Sequence, residues 1–311
     1  MNSRERIPPS VHLALLAVQV MFASLSIVAK IALREIGPLG LVCARSMTAM
    51  LVLVAVRLLA LPRERVQARH LAELAAYGFF GVTANMMLFV EGLARTTAIN
   101  AIVIGTTIPV FTVGVAVAMR KEAATLAKVI GLTVACVGAL VIVGAGRFEA
   151  GGGRLLGNLL IVGNSLSFSI YLVISRRLLA TYSPMTVVAW TFVFGAIGIL
   201  PFGGPTLAAA APHLSSRTWL CIAYIVTFPT VGTYFLNMFA LQRVPSSLVA
   251  IYIYVQPIIG ALLAAAALGE RPSASTYVGG ALIGLGIWLV TREARRLRAA
   301  ADRARSATLQ A

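Results

Sequence analysis

Charged and metal-binding side chains are scarce in this sequence. Only 12% of its 311 residues are charged, and it holds three histidines, three cysteines and a single aspartate, Asp302. A single aspartate excludes a two-aspartate intramembrane protease, and separated histidines offer no metal cluster. An odd, scattered set of cysteines does not make a disulfide framework. Neither a nucleotide-binding loop nor a G-x-S-x-G nucleophile motif occurs, so we expect no catalytic residue, no metal and no cofactor.

Apolar side chains dominate instead. They make up 59% of the chain, and the mean hydropathy is +0.91, whereas a soluble domain carries about a quarter charged residues. The net charge of +16 does not indicate nucleic acid, because the basic residues lie in short loops and tails between apolar segments. The first apolar segment is too long for a cleaved signal peptide. The lipid bilayer is therefore the expected partner.

Ten apolar segments are each long enough, at about 20 residues, to cross the hydrocarbon core of a bilayer. Their continuous hydrophobicity favours helices over strands. The expected spans are Val11–Leu33, Pro38–Ala60, Leu71–Leu93, Ala98–Met119, Ala124–Gly144, Leu155–Ile174, Pro184–Phe202, Thr218–Leu241, Pro245–Leu268 and Ser273–Thr291. Lysine and arginine are about threefold more frequent on the side that holds the N-terminus, which predicts both termini in the cytoplasm. For a bacterial protein this means the inner membrane.

The two halves of the chain repeat each other. A shift of 148 residues places Pro109 on Pro257 and Glu122 on Glu270, and a constant offset over several helices indicates an internal repeat. Five spans per half is an odd number, so the second half enters the membrane from the opposite side. We therefore expect an inverted repeat of residues 1–150 and 151–311, the second half ending in a basic cytoplasmic tail. Many secondary transporters share this organisation.

These features together resemble the drug/metabolite transporter superfamily in its EamA-type branch. The resemblance covers nearly the whole chain. The residues that carry it are Arg45, Arg120-Lys121-Glu122 after the Pro109 span, Ser175-Arg176-Arg177, Tyr182-Ser183-Pro184, and Leu268-Gly269-Glu270-Arg271-Pro272 after the Pro257 span. The first half departs from the family pattern at Lys121, where a glycine is common. The resemblance implies export of amino acids or other metabolites, with a layout most like the amino-acid exporters related to YddG.

Polar side chains follow single faces of several spans. Because polar groups are costly in lipid, they normally turn inward. We expect the first, third, fourth, sixth, eighth and ninth spans to line a central cavity, although hydrogen bonding between helices would explain the same pattern. The candidate substrate-binding residues are Asn85, Asn164, Tyr171, Trp190, Tyr234, Asn237, Tyr252 and Gln256.

Three prolines lie near the centres of spans. A proline inside a helix kinks it and leaves the carbonyl four residues earlier without its usual donor. Such carbonyls either face a cavity or are bridged by side chains and water. The prolines are Pro109, Pro229 and Pro257, Gly81 is equivalent to Pro229, and the carbonyls belong to Gly105, Ile225 and Ile253.

Charged residues away from the cytoplasmic ends of the spans are few: Lys30, Arg45 and Glu91. Glu73 lies close enough to the inner end of its span to reach water. A lone buried charge is expensive, so a pair is expected. We expect Glu91 to pair with Arg45 or Lys30 as part of an outer gate. The alternative is that Lys30 and Glu91 extend to the membrane interface.

The sequence thus predicts a secondary transporter that exports small metabolites, most readily amino acids, by alternating access through a central cavity. Drug-like cations, sugars and nucleotide sugars remain alternative substrates. An intramembrane enzyme is the rival class, and a channel is a third option. Transport direction, proton coupling and the choice between monomer and homodimer stay open.

Overall fold

The computed structural model describes residues 7–60, 64–96, 98–143, 154–259 and 274–310, and every regular element in these ranges is helical. The end of the ninth expected span, the Leu268–Pro272 motif and the junction of the halves at residue 150 lie outside them. The helices are α1 (Pro9–Ala32), α2 (Pro38–Ala60), α3 (Leu71–Gly78), α4 (Ala84–Arg95), α5 (Ala98–Gly105), α6 (Ile108–Ala118), α7 (Leu126–Val143), α8 (Leu155–Ile174), α9 (Pro184–Ala210), α10 (Ser216–Val226), α11 (Thr233–Leu241), α12 (Ser246–Ile251) and α13 (Ala274–Gln310).

Six helical segments in the described part are long and apolar enough to cross a membrane. They are Pro9–Ala32, Pro38–Leu59, Ala68–Arg95, Leu155–Ala180, Pro184–His213 and Ser216–Leu241. Shorter apolar helices cover Ile108–Ala118, Leu126–Val141 and Ser246–Ile259. Six of the ten expected spans are therefore seen at full length.

The last helix differs from its expected length. The tenth span was expected to end at Thr291, but α13 continues to Gln310. The added segment is rich in alanine, arginine and leucine, which favour helix, and contains neither glycine nor proline. The basic tail is thus a helical extension of the last span.

Repeated interruptions divide the third and fourth spans of each half. A π-helical turn, Phe79–Thr83, joins α3 to α4, and another, Thr227–Gly232, joins α10 to α11. The two turns begin 148 residues apart, which is the shift that relates the halves. The fourth spans also break, between α5 and α6 and at the 3-10 turn Tyr252–Val255. Such breaks leave backbone groups that need partners other than the usual helical ones.

The three prolines act differently at these interruptions. Pro109 stands in the first turn of α6, where a missing N–H costs nothing, so it starts a new helix rather than kinking a continuous one. Pro229 lies inside the second π-helical turn, and Thr230 Oγ1 donates to the carbonyl of Ile225 at 2.7 Å. Pro257 follows the 3-10 turn.

Close packing of α7 against α13 depends on glycines. A Cβ atom on Gly131 would lie 3.0 Å from the carbonyl oxygen of Gly286, and one on Gly138 would lie 2.6 Å from that of Gly279. Under the 148-residue shift, Gly131 corresponds to Gly279 and Gly138 to Gly286. Gly131 therefore packs against Gly286, the equivalent of Gly138, and Gly138 packs against Gly279, the equivalent of Gly131. An approximate twofold relation between α7 and α13 requires this exchange.

Three glutamates of the first half cap helices of the second half. Glu35 accepts hydrogen bonds from Ser215 before α10, and Glu64 accepts them from Ser183 before α9. Glu122 accepts them from Ser246 and Ser247 at the start of α12. A carboxylate at a helix N-terminus satisfies free N–H groups and complements the helix dipole. We call this third contact the Glu122 clasp; it also includes Lys128, whose Nζ donates to Glu122 at 2.9 Å.

Candidate binding cavity

A cavity of about 110 Å³ lies where the interrupted helices of the two halves meet. Its walls come from α1, α2, α4, α5, α8, α11 and the Tyr252–Val255 turn. Much of the lining is apolar, including the rings of Phe22, Phe89 and Phe168. The polar side chains in the lining are Arg45, Asn85, Asn164, Tyr234 and Gln256. An apolar pocket with a few polar groups is the usual form of a small-molecule site.

Arg45 is the charged residue of this cavity. It is 4% exposed and projects from α2 to the second π-helical turn. Its Nε donates to Thr230 Oγ1 at 2.6 Å and its Nη2 donates to the carbonyl of Pro229 at 3.2 Å. A buried charge is strongly disfavoured unless it is hydrogen-bonded or paired. Within the described residues, both acceptors of Arg45 are neutral.

Tyr234 makes the corresponding contact with the first π-helical turn. Its hydroxyl donates to the carbonyl of Gly81 and lies 3.4 Å from Asn85 Oδ1. Gly81 and Pro229 are equivalent under the 148-residue shift. Both π-helical turns therefore present a carbonyl at the same position, and a cavity-lining side chain donates to each.

The amide side chains bridge neighbouring helices and keep some polar atoms for a guest. Asn164 Nδ2 donates to the backbone carbonyl of Asn85 at 2.9 Å, and Gln256 Nε2 donates to Gln19 Oε1 at 2.8 Å. The carbonyl of Gly105, in the cavity wall, has no donor four residues later because Pro109 lacks an N–H. The cavity thus combines neutral hydrogen-bond acceptors with one cationic group.

Four of the eight predicted binding residues line this cavity: Asn85, Asn164, Tyr234 and Gln256. The other four lie elsewhere. Tyr171 is buried behind the wall, where its ring packs against Phe168 and Tyr234. Trp190 packs against Phe194, and Asn237 is buried in α11. The hydroxyl of Tyr252 contacts His12 Nδ1.

The expected ion pair is not the one that forms. Glu91 pairs with Arg95, one helical turn away on α4, and their side chains are 21% and 45% exposed. Arg45 instead contacts the second π-helical turn, and Lys30 is exposed. Pairing of Glu91 with Arg45 or Lys30 was therefore wrong, because residues four apart on one helix face are already neighbours. The position of Lys30 agrees with the alternative of extension to the interface.

A second, wider cavity of about 1070 Å³ lies further along the same helices. On α8 the last lining residue of the first cavity is Phe168 and the first of the second cavity is Val173, a distance of about 7.5 Å along the helix axis. Glu73, in this wall, accepts a hydrogen bond from Tyr77 and pairs with Arg177. Basic groups dominate the lining: Arg69, His70, Lys121, Arg176 and Arg177.

Sequence reasoning missed the partner of Arg45 and the three phenylalanine rings of the cavity. Phenylalanines in an apolar span carry no signal that separates cavity-facing from lipid-facing positions. A charged residue inside a span does carry a signal, but one of the two acceptors of Arg45 is a backbone carbonyl, which has no sequence signature.

Known proteins resemble this chain over most of its length. The model of the EamA-like transporter family matches residues 9–144 and again residues 155–292. An uncharacterized transporter of Archaeoglobus fulgidus is 27% identical over 90% of this chain and 96% of its own. A probable terminal-alkyne amino-acid exporter of Streptantibioticus cattleyicolor is also 27% identical, over 90% of this chain and 92% of its own.

The fold has a counterpart among solved structures. A crystal structure with 19% sequence identity superposes with a TM-score of 0.73 and covers 94% of this chain and 99% of the other. At this identity the likeness shows the fold alone. The two family matches together cover most of the sequence and confirm the resemblance noted from its motifs. The chain belongs to the EamA-like transporter family of the drug/metabolite transporter superfamily, and it is a multi-pass membrane transporter rather than an enzyme.

Proposed function

We propose that the protein is a secondary transporter that exports small metabolites, amino acids foremost, from a bacterial cell by alternating access. In this proposal ten spans form two inverted five-helix halves, residues 1–150 and 151–311, in the inner membrane, with both termini in the cytoplasm. The observation that carries the proposal is the apolar cavity with a few polar groups that lies where the interrupted helices of both halves meet. Discontinuous helices around a midplane site are a recurrent design of secondary transporters.

The inverted arrangement has support from three sides. The π-helical turns recur at the same shift as the sequence repeat. In the contact between α7 and α13, Gly131 packs against the equivalent of Gly138, and Gly138 packs against the equivalent of Gly131, in a twofold manner. The excess of basic residues on one side favours cytoplasmic termini. In this orientation the basic second cavity opens to the cytoplasm and the first lies near the midplane of the membrane.

Amino acids suit the cavity in both size and chemistry. A volume of about 110 Å³ fits a small solute, and neutral acceptors beside a buried guanidinium suit a zwitterion. A relative is named a probable amino-acid exporter, which agrees with this choice. Among the alternatives, drug-like cations fit least, because Arg45 repels them. Uncharged sugars fit the amide groups and are the second candidate.

The test is counterflow into proteoliposomes that are preloaded with one unlabelled solute class at a time. We expect labelled neutral amino acids to accumulate with saturation, and an excess of external amino acids to compete. Asn164→Leu should weaken this uptake, whereas Asn158→Leu, on the same helix but outside the cavity lining, is its matched control. Counterflow driven only by sugars would keep the carrier and replace the substrate. No counterflow with any class would refute the proposed function.

A further inference from the structure

We infer that Arg45 is an anchor for a carboxylate, so that the solutes this protein carries share a carboxylate group. The inference rests on the proposed function, since it assigns a substrate class to the same cavity. Three observations on the described residues support it: Arg45 has donors without an acceptor, the cavity lining holds no acidic side chain, and other lining groups suit an ammonium and an apolar substituent.

The guanidinium keeps donors that no group of the described residues uses. Arginine has five N–H groups in a planar fork that matches a carboxylate. Two of them reach Thr230 Oγ1 and the carbonyl of Pro229. The Nη1 group has no acceptor among the described residues, although Arg45 is 4% exposed and lines the cavity. Because Arg45 lines the cavity, the open end of the fork is available to a solute bound there.

The cavity also lacks a counter-charge. No acidic side chain appears among its described lining residues, and Glu91 is engaged with Arg95. The two neutral acceptors offset only part of the cost of burying a cation, because a buried charge generally needs an ionic partner as well as hydrogen bonds. A bound carboxylate would supply that partner, and a charge-assisted contact with arginine is about twice as strong as a neutral one.

Other groups of the cavity lining can accept the rest of such a solute. Asn85, Asn164 and Gly105 offer neutral oxygen acceptors in the wall, which suit an ammonium without binding a proton themselves. The phenylalanine rings of Phe22 and Phe168, which contact each other edge to face, suit an apolar substituent. A small α-amino acid satisfies all three environments, and its carboxylate is the part that Arg45 selects.

The decisive experiment compares matched solutes on the wild-type protein. In proteoliposomes that show counterflow, the unlabelled competitors are an amino acid, its α-amide and the corresponding amine, all with the same side chain. We expect the acid to compete roughly ten- to a hundredfold better than the amide, the range expected for losing one hydrogen bond to a charged group. Equal competition by acid and amide would overturn the inference while the carrier function stands. Absence of counterflow would instead fail the proposed function.

A variant separates recognition from a structural role. Arg45→Gln should bring the ratio of acid to amide competition close to one, and Arg45→Lys should retain part of the preference. Arg57→Gln is the matched control, because Arg57 is on the same helix but contacts Thr186 and Glu64 outside the cavity. A ratio unchanged in Arg45→Gln would refute the assignment. If that variant does not elute as a monodisperse protein, the wild-type comparison decides alone.

Discussion

The Glu122 clasp combines a buried ion pair within the first half with hydrogen bonds from the second half, and its loss should destabilise the protein measurably. The carboxylate of Glu122 accepts hydrogen bonds from Ser246 Oγ at 2.6 Å and from Ser247 Oγ at 2.5 Å. It also pairs with Lys128 at 2.9 Å, and the two charged side chains are 5% and 3% exposed. The clasp joins the α6–α7 loop to the start of α12.

Glu122→Gln keeps the size of the side chain but removes its charge. Lys128 would then stay buried without an ionic partner, with the carbonyl of Ala123, at 3.1 Å, and the amide oxygen of the new glutamine as neutral acceptors. Removing one partner of a buried ion pair costs about 3–5 kcal/mol. The control is Glu91→Gln, which breaks the partly exposed pair with Arg95, and exposed pairs contribute about 0–1 kcal/mol. Thermal unfolding in detergent, followed by scanning fluorimetry, should separate the two variants clearly.

The pH dependence of this difference has a defined sign. Burial alone would raise the pKa of Glu122, but hydrogen bonds from Ser246 and Ser247 and the charge of Lys128 outweigh it and lower the pKa below the ordinary 4.5. A lowered pKa favours the folded state at pH values above the ordinary one, and this stabilisation is lost as pH falls through the folded-state pKa. The deficit of Glu122→Gln should hold from neutral pH down to about pH 5 and shrink under stronger acid. A deficit no larger than that of Glu91→Gln, or one that grows with acid, would refute the reasoning.

Two further predictions use matched glycines. Gly105 lines the cavity, and a Cβ atom added to it would meet no other atom within 4 Å. Gly105→Val should therefore fill the cavity and weaken solute counterflow while the melting temperature stays unchanged. The control is Gly114→Val, on the exposed face of α6, which should leave counterflow unchanged. A Cβ on Gly286 would lie 2.4 Å from the carbonyl oxygen of Gly131, so Gly286→Val should lower the melting temperature by overpacking, which costs about 1–3 kcal/mol. Gly284→Val, which meets nothing within 4 Å, should not, and equal melting of these last two variants would count against the packing of α7 on α13.

Much of the fold could be predicted because lipid simplifies the sequence code. A segment of about 20 apolar residues has few structural options in a bilayer, and six expected spans appear as full-length helices. The interruptions were only partly predictable. Pro109 and Pro257 mark the broken fourth spans, but the π-helical turn at Gly81 has the sequence FFGVT, which contains no proline and looks like an ordinary apolar helix.

The sequence could predict which helices line the cavity better than which individual residues do. A polar stripe identifies the face of a helix that turns inward, yet inward groups either border a cavity or bond to a neighbouring helix. Ser167 shows the second outcome, since its hydroxyl donates to the carbonyl of Phe80 at 2.8 Å. Asn164, one turn earlier, shows both, because it donates to the carbonyl of Asn85 and also lines the cavity. Which outcome applies depends on the distance between helices, and the glycines that set this distance act through contacts across the two halves.

The two halves share the positions of their helix interruptions, but different side chains donate hydrogen bonds to the carbonyls there. Gly81 and Pro229 are equivalent, yet Tyr234 donates to the carbonyl of Gly81 and Arg45 donates to that of Pro229. Under the same 148-residue shift the equivalent of Tyr234 is Met86, which has no hydroxyl. Symmetric breaks give both halves the same places to bend, as alternating access requires. Asymmetric donors put the cationic group on one side of the cavity only, so an exchange of conformations between the halves cannot create a second copy of it. In the proposed mechanism the backbone repeat therefore accounts for movement, and the remaining donors of Arg45 account for selectivity.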